Sequence, residues 1–165
     1  MSTAEKGSDP FVARDDARYP ERLRSLSGAP PRLYYRGRWE ETLFVHCLAV
    51  VGTRRMTSYG AQMTETLVAP IAAAGVTIVS GFMFGIDAVA HQAALAAGGR
   101  TIAVMPCGIE RIHPAHQEAL YGEMLREGLV LSELPGASAA ALWTFPRRNR
   151  IVAGLSQATL VIEGA

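Results

Sequence analysis

Arginines and glycines at three places in this chain have the types and the spacing to hold a phosphate. The first place is Val50-Val51-Gly52-Thr53-Arg54-Arg55, and the second is Ser80-Gly81 followed by Gly85-Ile86-Asp87. Each Gly-containing turn follows an apolar run that reads as a buried strand, and each opens a helical pattern. Both are therefore strand-to-helix turns at one edge of a parallel sheet. Backbone N–H groups free at such turns form an anion site. Arginine at the first turn makes that anion a phosphate, because a planar guanidinium forks two of its oxygens. The third place is Phe145-Pro146-Arg147-Arg148-Asn149-Arg150, with three cations, an amide and a ring. A helix starting at Arg147 puts Arg147 and Arg150 on one face and points Arg148 elsewhere. Ile151, Val152 and Leu155 then bury the opposite side. Arginine forks phosphate, and Phe145 or Trp143 can stack a base. The three places together suggest a nucleic-acid or nucleotide binder.

Other chemistries fit less well. The first turn is not a dinucleotide fingerprint: G-x-G-x-x-G is absent, and Ser80 stands where an acidic residue would close the second strand. No G-x-x-x-x-G-K-[ST] occurs, so there is no P-loop. Ser80, Asp87 and His91 have the types of a catalytic triad, but no G-x-S-x-G elbow surrounds the serine. The simpler reading makes Asp87 the N-cap of the following helix and His91 its partner one turn on. Cys107, His113 and His116 match no standard zinc spacing and lack a fourth ligand, so no metal or other cofactor is expected.

The elements that must position these residues alternate regularly from Leu43. Strands are expected at Leu43–Val51, Val76–Ser80, Thr101–Met105, Leu129–Ser132 and Thr159–Glu163. Helices are expected at Ser58–Ala74, Asp87–Ala97, Pro114–Glu127 and Arg147–Leu155. In the first of these helices Tyr59, Met63, Leu67 and Ile71 form an apolar stripe, and Pro70 should kink or break the last turn. The alternation predicts an α/β fold, Rossmann-like and doubly wound, with a largely parallel sheet and helices on both faces. Right-handed crossovers bring the loops after the strands to one common edge. Residues 1–18 are polar and aperiodic and read as a disordered arm. Residues 19–165 form one domain. Its Pro-rich start (Tyr19-Pro20, Pro30-Pro31) leads through a short helix into Leu33-Tyr34-Tyr35, which packs on the sheet edge. The last strand has no helix after it, so the sheet reads as one that lacks its final units or needs a partner at its edge.

With 16 basic and 15 acidic side chains the net charge is +1, so any basic surface is local and indiscriminate polyanion binding is excluded. Two cysteines make no disulfide framework, which favours a reducing cytoplasm. No apolar run reaches the ~18 residues that span a bilayer.

At this point the residues resemble the DprA/Smf family of DNA-processing proteins. The matching segments include Val50-Val51-Gly52-Thr53-Arg54-Arg55, Val79-Ser80-Gly81, Gly85-Ile86-Asp87, Ala90-His91, Leu131-Ser132-Glu133 and Phe145-Pro146-Arg147-Arg148-Asn149-Arg150-Ile151. The resemblance implies a non-enzymatic protein that binds single-stranded DNA without sequence preference. It further implies a role in natural transformation and in RecA-dependent recombination. Gly52, Thr53 and Arg54 would hold a DNA phosphate, Ser80, Gly81 and Gly85 would line the same pocket, and Arg147, Arg148 and Asn149 would supply the second wall. Met83 and Phe84 stand where the family commonly has a small and a basic residue. One cation is therefore missing or replaced by a stacking ring. RecA and a second copy of the chain are implied partners, through a region that in the family lies largely beyond the last strand here. The competing class is a nucleotide-binding or nucleoside-monophosphate-processing enzyme of the phosphoribohydrolase-like superfamily. Its Pro-Gly-Gly-x-Gly-Thr-x-x-Glu hallmark is absent, and Met105-Pro106-Cys107-Gly108 is the nearest approach. An inactive fragment is the third reading.

Overall fold

A computed structural model describes residues 9–164 of the chain. In order, the elements are β1 (Phe11–Ala13), α1 (Glu21–Arg24), β2 (Arg32–Gly37), β3 (Cys47–Gly52), α2 (Ser58–Ala73), β4 (Thr77–Ser80), α3 (Ile86–Ala96), β5 (Thr101–Val104), α4 (Glu118–Glu127), β6 (Leu129–Ser132), α5 (Thr144–Leu155) and β7 (Ala158–Ile162). They build one seven-stranded sheet of order β1-β2-β6-β5-β4-β3-β7. The five strands from β6 to β7 are parallel, and β2 and β1 add antiparallel at one side. The Rossmann-like α/β class expected from the alternation is the one observed.

Strands β4, β5 and β6 are buried along their whole length because helices cover both faces. Alternate residues therefore enter different cores. Ala49, Val79, Ile102 and Leu131 pack beneath Ile151, Val152 and Leu155 of α5 and Leu23 of α1. Val50 and Ile78 pack beneath Val68 and Ala72 of α2 and Ala90 and Ala94 of α3. Chain order runs outward from β3 through β4 and β5 to β6, then α5 crosses back on the other face to place β7 on the far side of β3. The strand order reverses between β3 and β7, and a doubly wound sheet opens a crevice at such a reversal.

Several expectations are corrected. Val12 is fully buried and β1 pairs with Arg32–Tyr34, so the arm expected over residues 1–18 is a strand from Phe11. Residues 1–8 lie outside the described residues. The strand expected from Leu43 starts at Cys47, because Glu41–Phe44 forms a 3-10 turn whose Phe44 packs on Trp39. The buried face of α2 is Gly60, Thr64, Val68 and Ala72, one position round from the expected stripe, and Tyr59 is 67% exposed. Gly60 belongs to that face because a Cβ there would run into the Glu163 carboxylate, while Val68 and Ala72 pack with Ala90 and Ala94 of α3. Helix α2 also continues through Pro70 to Ala73. Thr66 and Pro70 face solvent, where water can take the carbonyl that the ring leaves free. Helix α5 starts at Thr144, earlier than expected, which places Pro146 in its first turn, where a missing N–H costs little.

Candidate nucleic-acid interface

The two glycine turns are locked to one another by close backbone packing. A Cβ at Gly52 would stand 2.0 Å from the Ile162 carbonyl oxygen, and one at Gly85 would stand 2.2 Å from that of Thr53. Gly85 also has φ +80°, which L side chains rarely adopt. The Ile86 N–H donates to the same Thr53 carbonyl at 3.2 Å. Thr53 in turn donates its own N–H to Glu163 O at 3.0 Å, and its hydroxyl accepts from the Arg55 N–H at 3.1 Å.

The anion site expected from free N–H groups at the first turn is not free. The Glu163 carboxylate accepts the Thr57 N–H at 2.8 Å and also the Thr57 hydroxyl. These bonds hold its pKa below the usual range. The protein supplies its own anion to the start of α2, and the first turn of α3 carries Asp87. At this edge the charged side chains of Arg54, Asp87 and Arg148 come together.

Those side chains meet in a cleft of about 300 Å³ between the two turns and α5. Gly52, Arg54, Gly81, Asp87, Arg148 and Asn149 are among its lining. Arg54 is exposed, and its guanidinium carbon lies 5.0 Å from the centroid of the Phe145 ring, which packs at 5.7 Å on His113. Arg148 is buried. Its Nε donates to Asn149 Oδ1 at 3.0 Å and its Nη1 to the Val104 carbonyl. Arg148 points away from the face shared by Arg147 and Arg150, as the helix spacing implies, and into the cleft. Gly81 is what admits it: a Cβ there would lie 2.3 Å from Asp87 Oδ2 and 2.5 Å from Arg148 Nη1. Burial pushes the Asp87 carboxyl up, against the opposing pull of Arg148. Burial likewise pulls Arg148 down, while Asp87 supports its charge.

Asp87 is neither the N-cap of α3, which is Gly85, nor the partner of His91. The fully buried His91 places Nε2 2.5 Å from the Gly81 carbonyl, so that nitrogen carries the proton, and Nδ1 lies 2.7 Å from the Thr101 hydroxyl. Burial lowers its pKa to about 4. His91 is thus a neutral strut behind Gly81.

The remaining expected residues divide. Ser80 is fully buried and its hydroxyl donates to the Val50 carbonyl at 2.6 Å, so it does not face the cleft. Arg147 and Arg150 share a face, as expected, but that face meets Glu133: both donate to Glu133 Oε1, at 3.1 and 2.5 Å. Arg147 also lies 5.7 Å from the Trp143 ring, away from the cleft wall it was expected to form. Arg55 is exposed on the turn, and Phe84 is 45% exposed beside Gly85. Cys107 donates to the Arg111 carbonyl and His113 packs on Phe145, and the described residues gather no group of three metal-ligating side chains. Glu163 and the inward face of Arg148 are the parts that spacing along the chain missed. Their partners lie far off in sequence.

Comparison with known proteins adds to this geometry. A family model described as DNA recombination-mediator protein A matches residues 10–165. Protein Smf of Synechocystis sp. is 42% identical over 156 residues, covering 93% of this chain and 39% of its own length. The crystal structure of DNA processing protein A from Streptococcus pneumoniae superposes with a TM-score of 0.89 at 36% identity, over 94% of this chain and 54% of that one. DNA processing protein A from Helicobacter pylori, solved to explain its mode of single-stranded DNA binding, gives 0.82 at 31% identity over 93% of this chain and 69% of that one. The chain spans between 39% and 53% of the length of the first four curated relatives it matches. Among the described residues no helix is long and apolar enough to cross a membrane. A family match over residues 10–165, with relatives of this identity along nearly the whole of it, leaves one assignment: the chain belongs to the DNA recombination-mediator protein A family, the DprA/Smf proteins.

Proposed function

We propose that this chain binds single-stranded DNA without sequence preference, as part of DNA uptake and RecA-dependent recombination in the cytoplasm. One observation carries the reading. Arg54 and Arg148 converge with Asn149 on a cleft at the strand-order reversal, while Arg147 and Arg150 face away from it and share the single carboxylate of Glu133. A strand phosphate enters between the two cleft arginines. Neighbouring bases lie on the rings at the rim, Phe84 and Phe145, with Trp143 further along α5. Contacts of this kind read backbone charge and π-faces, which every nucleotide shares. RecA and a second copy of the chain belong to the same reading as partners. Catalysis does not: Asp87 and His91, the one acid–base pair suggested by spacing, have different partners.

The test is a titration of 3′-labelled oligothymidylate followed by fluorescence anisotropy at several salt concentrations. The one phosphate neutralised in the cleft gives a slope of log affinity on log salt of roughly −0.7, at ~0.7 per phosphate. Folded protein that fails to bind at low salt, or binds with no salt dependence, refutes the function.

A further inference from the structure

A carboxylate lines a cleft that is to receive an anion. Of the side chains lining it, only Arg54, Arg148 and Asp87 carry charge. Two positive charges and one negative leave a single net positive charge. Asp87 cannot swing away. It is 8% exposed, at the first turn of α3, and its Oδ2 lies where the absent side chain of Gly81 would be, beside the Arg148 guanidinium. Besides the cleft arginines, the groups that meet it are neutral: the Ser80 hydroxyl, shared with the Val50 carbonyl, and the Met83 N–H. His91 is neutral and serves Gly81, and Arg147 and Arg150 serve Glu133.

We propose that Asp87 is the specificity-determining residue of this cleft, selecting the singly charged phosphodiester inside a strand over the doubly charged phosphomonoester of a strand end or a free nucleotide. This rests on the reading of the cleft as the phosphate site. A phosphodiester carries one negative charge and balances the cleft. A phosphomonoester carries about −1.5 to −2 near pH 7 and leaves an excess beside a fixed carboxylate in a partly desolvated space. Like charges placed so close repel strongly. The same balance separates this chain from a nucleoside-monophosphate processor, whose site must welcome the second charge.

The experiment compares 3′-labelled oligothymidylate bearing a 5′-phosphate with the same strand bearing a 5′-hydroxyl, at fixed salt and pH. The wild type is expected to bind the two within about twofold. Asp87→Asn, and Asp87→Ser as a second neutral variant, are expected to favour the 5′-phosphorylated strand by roughly tenfold, since the second charge then meets two uncompensated arginines. Inorganic phosphate should compete better against the variants than against the wild type. An unchanged ratio in variants that still bind overturns the proposal. So does a wild type that already favours the 5′-phosphate tenfold, and this arm alone decides if neither variant folds. A wild type that binds neither strand refutes the DNA reading on which the proposal stands.

Discussion

Replacing Gly81 by alanine adds one methyl group at the point where the cleft is assembled. The residue has no positive φ that would strain the backbone, so the consequence comes from space alone. The new Cβ would stand 2.3 Å from Asp87 Oδ2 and 2.5 and 2.6 Å from the two terminal nitrogens of Arg148, against an ordinary contact of 3.4 Å or more. Neither neighbour yields cheaply. Both are buried, Arg148 is tied to the Val104 carbonyl, and the Gly81 carbonyl is itself held by His91. Overpacking of this kind costs about 1–3 kcal/mol. For a domain of this size that lowers Tm by roughly 2–12 °C. Displacing Arg148 also removes one phosphate contact, so the salt slope should become shallower. Scanning fluorimetry and the oligothymidylate titration read the two effects on one sample. A Gly81→Ala protein with unchanged Tm and unchanged affinity would refute the placement of Arg148 and Asp87 around this glycine.

Arg54 is exposed, so Arg54→Ala should leave Tm within about 1 °C while the salt slope becomes shallower; Arg54→Lys should recover only part of the affinity, because an ammonium cannot fork a phosphate, and unfolding of the Ala variant would contradict the assignment. Phe84→Ala should weaken binding by about 1–3 kcal/mol with the salt slope unchanged, since a stacked ring releases no counterion; an unchanged affinity would remove Phe84 from the interface. The pKa of His91, about 4 when folded and 6.5 when unfolded, makes the unfolded chain hold the extra proton between those values. Stability should therefore fall as pH drops from about 6.5 towards 4, by up to ~1.4 kcal/mol per pH unit, while above pH 7 this contribution is constant. Urea unfolding across that range checks it, and a His91 resonance titrating near 6.5 in the folded protein would refute it.

What could be read from the sequence is whatever the physics makes local. Apolar runs bounded by glycine gave β4, β5 and β6 nearly to the residue, and alternation with helices gave the parallel centre. The stripe on α2 was displaced by one residue because two lines of residues four apart run side by side there. Choosing Gly60-Thr64-Val68-Ala72 over Tyr59-Met63-Leu67-Ile71 depends on how closely α3 approaches, which no local pattern carries. Strand β1 is too short for a period to show. That Gly52 and Arg54 stand together at the cleft's edge was legible because a strand-to-helix turn and a charge coincide there. Helix spacing set Arg148 off from Arg147 and Arg150, but its burial was hidden because it depends on the room that Gly81 leaves sixty-seven positions earlier. The partnership of Arg147 and Arg150 with Glu133 was hidden for the same reason: a charge run declares its sign, and only the folded chain declares its counterion.

Glu163 gives the outer strand a second office. Its carbonyl receives the Thr53 amide, and its carboxylate receives the amide and hydroxyl of Thr57. One residue at the end of β7 thus clasps both sides of the turn that carries Arg54. The other flank of β7 pairs with no strand among the described residues, so any chain that added there would load this clasp. The sheet's margin and the turn that carries Arg54 consequently form one mechanical linkage, in which tension at the strand is borne by the same few hydrogen bonds that hold that turn.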